Sequence, residues 1–277
     1  MAARSLHLFE AGVVTEQRFA GLAAAPAALA EVFAHDLQPE KQVRVPFNPR
    51  DRWLTAARES CRTLADGVTA SLRTGAQVVV LGGECTLVAG SISGALAVEP
   101  DINLVYLDAH GDFNTLATTQ THYVSGMCLA HVSGRSVAPL LWPGARKISD
   151  DQIMLVGGRA LEAGEKQNLA RSRVLHVPFD ADHRDVSRAI AVARRRKVWL
   201  HVDVDIVDPM QLPAVGSPAP GGVTFAALGD FITQLASVSD IRGFEICGYD
   251  PRHDEIHRLP ALIAGMFSVF APRAVAV

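Results

Sequence analysis

Short apolar runs recur along the chain at SLHLF, VVVLGG, INLVYLDAH, IMLVGG, VLHVPF, VWLHVDVD and GFEICGYD. Alanine-rich, helix-like segments such as residues 53–73, 183–196 and 225–237 separate them. A strand that is apolar throughout must be covered on both faces, and crossover helices provide that cover for a parallel sheet. The alternation therefore predicts the α/β class, with three α/β/α layers around a mostly parallel sheet. A length of 277 residues fits one large domain or two small ones. No repeat, low-complexity linker or break in composition divides the chain, so a single domain over 1–277 is expected.

Open sheets of this kind carry their chemistry where the strands end. In LVYLDAHGDFN, Asp108 and His110 are two apart and share a face, and Asp112 follows as the strand opens into a loop. In VWLHVDVDIVDP, Asp203 and Asp205 share a face, while Asp208 and Pro209 fit a closing turn. In VVVLGGECTL, Glu84 and Cys85 follow the strand. Four carboxylates and one imidazole on one rim would repel strongly without cations between them. Such an oxygen-rich set suits Mn²⁺, Mg²⁺ or Zn²⁺, and manganese best. His201 reads as a core residue behind these ligands.

Other partners find little support. Net charge is −3, and no long block of like charge occurs, so nucleic acid is not expected. The run Arg194, Arg195, Arg196, Lys197 reads as a solvated helix end. The N-terminal stretch lacks the apolar core of a signal peptide, and no apolar run is long enough to span a membrane. Cys61, Cys85, Cys128 and Cys247 form no CxxC pair and suggest no disulfide framework, so a cytoplasmic location is the default.

The three strand-end motifs, GGEC, DAHGD and DVDIVDP, resemble the GGDH, DAHxD and DVDxxDP signatures of the arginase and agmatinase (ureohydrolase) family, over about residues 78 to 255. The resemblance implies one arginase-like α/β/α domain holding two Mn²⁺ ions. By position, Asp108 and Asp203 would bridge the ions, Asp112 would complete one ion's ligands, and His110 and Asp205 the other's. Cys85 falls where the family has the first ion's histidine. It would either ligate as a thiolate or stay a neutral buried thiol beside a weakened site. DFNTLATTQT resembles the family's α-carboxylate loop, with Asn114, Thr119 and Thr121 as donors. GGRALEAGE places Glu162 at the α-amino group, and GFEICGYDP places Glu245 at the guanidinium. Asp112 would pass a proton to the departing amine.

Arginases carry an HG pair with a proton-shuttling histidine, and here the pair is Ser125–Gly126. His122, three residues earlier, is either a partial substitute or a surface residue. The N-terminal arginase motif is not recognisable. Cysteine at the first-ion position and the missing shuttle resemble the branch of Nω-hydroxy-L-arginine amidinohydrolases of D-cycloserine biosynthesis, which release hydroxyurea and L-ornithine. The expected activity is therefore hydrolysis of a small guanidino amino acid, hydroxyarginine first. Hydrolysis of another guanidino or amide compound, arginine and agmatine-like substrates included, is the second reading. A catalytically weak metal-binding homologue is the third. The intact Asp108, His110, Asp112, Asp203 and Asp205 argue against the third. The Asn114–Thr121 loop and Glu245 argue against a deacetylase. Family members are often trimers or hexamers, which makes a homo-oligomer the default.

Overall fold

The computed structural model describes residues 4–50, 52–135 and 140–272; residues 1–3, 51, 136–139 and 273–277 of the expected single domain lie outside them. The strands are β1 (Leu6–Ala11), β2 (Lys41–Arg44), β3 (Gln77–Gly82), β4 (Asn103–Asp108), β5 (Ile153–Gly157), β6 (Leu175–Val177), β7 (Lys197–Asp203) and β8 (Asp240–Cys247). They form one sheet in the order β2-β1-β3-β8-β7-β4-β5-β6. Every pairing is parallel, so the sheet is more uniform than the mostly parallel one expected.

The helices are α1 (Ala25–Leu37), α2 (Trp53–Arg73), α3 (Val88–Leu96), α4 (Cys128–Val132), α5 (Ala163–Ala170), α6 (Ser187–Ala193), α7 (Phe225–Val238) and α8 (Leu259–Gly265). Period-two alternation divides the buried strand residues between two cores. Leu8, Val79, Leu107, Leu200 and Phe244 pack with α1, α6, α7 and α8. Phe9, Val80, Tyr106, Trp199 and Cys247 pack with α2, α3 and α4, and α5 adds Leu169. The three-layer arrangement expected from the alternation is therefore present.

Two expectations need correction. The helix-like segment 183–196 contracts to Ser187–Ala193. Before it, Asp180 accepts from the amides of Asp182 and His183, and Asp185 accepts from that of Ser187, which favours turns over helix. After it, Arg195 adopts φ +61°. The basic run is also more than a solvated helix end. Arg196 donates to Asn103 at 2.7 Å, and Lys197 bonds to Glu99 and Asp101. Among the described residues, no helix is long and apolar enough to cross a membrane.

Candidate metal centre

In this strand order the carboxyl ends of β3, β8, β7 and β4 lie side by side. Asp108 ends β4 on the same face as Tyr106, and Asp203 ends β7 on the same face as His201. Both carboxylates therefore open toward the layer of α2, α3 and α4. Their partners arrive by another route than strand alternation. His110 and Asp205 lie beyond the strands, in a bend and a 3-10 turn. The Asp203 carboxylate accepts the Asp205 amide at 2.8 Å, and Asp108 accepts the His110 amide at 2.6 Å. Each first aspartate thus folds the chain back and aims the second residue into the same space.

Two donor sets result, Cys85 with Asp108 and Asp203, and Asp108 with His110 and Asp205; within each, all donors lie within 4.8 Å of one another. Cys85 Sγ lies 2.9 Å from Asp203 Oδ2 and 3.5 Å from Asp108 Oδ2. His110 Nδ1 lies 3.0 Å from Asp205 and 3.4 Å from Asp108. Burial, and then the neighbouring charge of Asp205, pushes Asp108 and Asp203 well above the usual carboxylate range. Burial opposes charge on His110, yet Asp205 and Asp108 outweigh it and push the imidazole up to about 12. Carboxylates so destabilised as anions, each sharing a donor set with nitrogen or sulfur, fit divalent cations. Asp112, at φ +48°, stands to one side and accepts from the Tyr106 hydroxyl at 2.7 Å and the Cys128 thiol at 3.3 Å.

A cavity of about 250 Å³ opens over this cluster, lined by Cys85, Asp108, His110, Asp112, Asp203 and Asp205. Asn114, Thr121, Ser125 and Glu162 line its wall. Asn114 donates to Glu162 at 3.2 Å, so the two loops meet there. Thr119 does not line it; its hydroxyl accepts the His122 amide at 3.1 Å, so it holds the loop in shape. His122 is exposed and away from the cavity, which leaves it the surface role. Asp208 accepts the Met210 amide at 2.8 Å, as the turn reading expects.

Glu245 is a correction. It is fully buried in mid-β8, bonded to His201 at 2.6 Å, and does not reach the cavity. A strand delivers to the rim only its last residues, and for β8 those are Cys247 and the following Gly248. Cys247 Sγ lies 3.5 Å from Cys85 Sγ, and Gly248 lines the cavity. Gly248 has φ +85°, and a Cβ there would lie 2.1 Å from Asp203 Oδ1, so a side chain at that floor would strain the backbone and displace the Asp203 carboxylate. The strand-end rule applied to GFEICGYD would have found both. It would not have found Tyr123, whose hydroxyl donates to Glu84 at 2.5 Å, or Glu165, which burial pushes up to about 7. Both line the cavity, as does Glu84.

A family model described as "Arginase family" matches residues 14–268. The chain is 30% identical to an arginase of Eremothecium gossypii over 78% of its own length and 57% of the relative's. It is also 30% identical to an N(omega)-hydroxy-L-arginine amidinohydrolase of Streptomyces lavendulae, over 59% of each chain. The chain thus spans less than two thirds of either relative. The crystal structure of an arginase from Bacillus cereus superposes with a TM-score of 0.87 at 22% identity, covering 98% of this chain and 99% of that one. That likeness is one of fold.

Proposed function

Because the chain belongs to the arginase family, we propose that it hydrolyses the guanidino group of an amino acid, taking Nω-hydroxy-L-arginine to hydroxyurea and L-ornithine. The observation that carries the choice of substrate is the thiol of Cys85 inside the ligand cluster, 2.9 Å from Asp203. Two divalent cations, Mn²⁺ at the oxygen-rich set, would acidify water and supply the nucleophile at neutral pH. Asp108, which belongs to both donor sets, and Asp203 would hold those cations, with His110 and Asp205 as further ligands on one side and Cys85 on the other.

Asn114, Thr121, Ser125 and Glu162 bind the amino-acid end at the wall of the cavity. The guanidino end lies over the floor, beside Gly248. Asp112 carries the proton to the departing amine, its carboxylate held by the Tyr106 hydroxyl. Among the described residues, His110 is the one imidazole lining the cavity, so no histidine is free to shuttle protons. An N-hydroxyguanidine is less basic than a guanidine and more often neutral. Its carbon is then the more electrophilic, so a weaker nucleophile suffices to attack it.

The test is a panel of guanidino compounds with Mn²⁺ added, following urea, hydroxyurea and ornithine. Hydroxyarginine should exceed arginine in kcat/KM by at least about tenfold, or about 1.4 kcal/mol of transition-state binding. A preference for arginine overturns the substrate assignment and leaves the family reading in place.

A further inference from the structure

Behind the cavity floor lies a further group of donors, which shares Cys85 with the cluster already described and adds two side chains that the cluster does not use, Cys247 and His201. Cys85, Cys247 and His201 present Sγ, Sγ and a ring nitrogen within 4.8 Å of one another. The two sulfurs are 3.5 Å apart, and Cys247 Sγ is 3.6 Å from His201 Nε2. Asp203 Oδ2 adds a fourth donor, 2.9 Å from Cys85 Sγ and 3.7 Å from Cys247 Sγ. A tetrahedral ion with bonds of about 2.0–2.3 Å sets its ligands roughly 3.3–3.8 Å apart, and three of these four separations fall there.

The far side of His201 fits the same arrangement. Its Nδ1 bonds to Glu245 Oε1 at 2.6 Å, with both side chains fully buried. A carboxylate on the outer nitrogen of an imidazole fixes its tautomer and orients the other nitrogen toward a metal. The Tyr106 ring stacks on His201 at 4.0 Å, 3° from parallel, and holds the imidazole plane. This accounts for a glutamate buried in the middle of β8, where an apolar residue would otherwise serve the core.

We propose that Cys85, Cys247, His201 and Asp203 form a sulfur- and nitrogen-rich site for a soft divalent cation, Zn²⁺, so that the centre holds two unlike metals. Zinc takes the deep set, and manganese takes Asp108, His110 and Asp205 above it. The two sets differ in donor chemistry: two thiolates and an imidazole select the softer ion, and carboxylates the harder one. Cys85 and Asp203 line the cavity, whereas Cys247 and His201 lie behind them. The zinc is therefore shielded from solvent by the ligands it shares with the cluster. The proposal rests on the two-metal reading of the family site.

The experiment uses Co²⁺ as a spectroscopic stand-in for zinc, added to metal-free protein under anaerobic conditions. One equivalent should give the near-ultraviolet thiolate-to-cobalt charge-transfer band and the intense visible absorption of tetrahedral cobalt. One equivalent of Zn²⁺ should bleach both, and excess Mn²⁺ should not. Cys247→Ser should cut the charge-transfer intensity by about half, because one of two thiolates is lost. The competition in wild-type protein needs no variant and stands even if Cys247→Ser misfolds. Absence of the band, bleaching by Mn²⁺ as readily as by Zn²⁺, or a full band in folded Cys247→Ser overturns the proposal. Manganese bound to the zinc-loaded protein is read separately by its paramagnetic resonance. No bound manganese there, in a protein whose cobalt-loaded form gives the band, would count against the two-metal reading and not against the zinc site.

Discussion

Asp203 and Asp208 are five positions apart, and the structure separates their fates. Asp203 Oδ1 accepts the Asp205 amide and Oδ2 faces Cys85. Asp208 accepts the Met210 amide in a turn. Asp203→Ala should therefore abolish metal retention and activity. Asp208→Ala should keep both and lose about 0.5–2 kcal/mol of stability, as when a turn or cap bond is removed. Metal analysis and urea unfolding of the two variants check this; the reverse pattern overturns the ligand assignment. His131 offers a pH test away from the metals. It is fully buried, neither ring nitrogen has a hydrogen-bond partner among the described residues, and burial pushes it down to about 4. A base depressed in the folded state stabilises fully above its unfolded value of 6.5, and that stability is lost as pH falls toward 4. The difference amounts to about 3 kcal/mol in wild type. His131→Leu should remove that contribution, so that its unfolding free energy loses less than wild type's between pH 6.5 and 4 under the same metal conditions, and an unchanged slope would sink the idea. That Asp108, His110, Asp203 and Asp205 cluster was legible in the sequence because their motifs sit at the ends of apolar runs, whereas Asp112, expected among the ligands, stands outside both donor sets. Glu245 was misread because being in the right motif is not being at the strand's end. Tyr123 and Glu165 come from a loop and a helix whose approach to the cavity only tertiary packing decides.

Among the elements, α2 was legible to its ends, Trp53–Arg73, because its apolar positions recur at helical spacing for 21 residues. The edge strand β2 was not, since its residues KQVR are largely exposed and carry no apolar run. Helix α3, VAGSISGAL, is buried at every position and has no polar face to reveal its period. It packs directly on α2. A Cβ on Gly90 would lie 2.5 Å from the Cys61 carbonyl oxygen, and one on Gly94 2.5 Å from that of Ala65. Two opposed effects meet in a Gly→Ala change here. Helix propensity favours alanine by about 0.8–1 kcal/mol, and overpacking against backbone costs about 1–3 kcal/mol. Overpacking should win at Gly90 and Gly94, each losing on the order of 1 kcal/mol or more. Gly229 in α7 is the control, since a Cβ there meets nothing closer than 3.6 Å. Gly229→Ala should stabilise by about 0.5–1 kcal/mol. Urea midpoints of the three variants decide it, and stabilisation at all three would mean that α2 and α3 are less tightly joined. Because Cys85 begins the turn that leads into α3, the two destabilising variants should also bind metal more weakly.

At the scale of the whole molecule, metal binding at the cluster would share one equilibrium with folding. The donors come from the ends of β3, β4, β7 and β8, the four adjacent central strands of the sheet. Without cations, burial holds Asp108 and Asp203 far above the usual carboxylate range. A carboxyl raised in the folded state stabilises when protonated, and that contribution is lost as pH rises through the range between its unfolded and folded values. Metal-free protein should therefore melt lower as pH rises from acid toward neutral. Bound cations reverse the sign, because ligation requires the deprotonated groups and is favoured by higher pH. At a free Mn²⁺ concentration of about 100 times Kd, one bound ion adds about 2.7 kcal/mol. For a chain of this size that is a rise of roughly 5–10 °C in Tm. Asp108→Asn separates the two contributions. Its amide oxygen can still accept the His110 backbone amide, as Asp108 Oδ1 does at 2.6 Å, and no carboxylate is left to desolvate. Its metal-free form should melt at or above wild type, and its manganese-dependent rise should vanish. Calorimetric scans of both proteins, with and without Mn²⁺, at acid and neutral pH, supply the comparison. An equal rise in both proteins would mean that manganese binds away from Asp108.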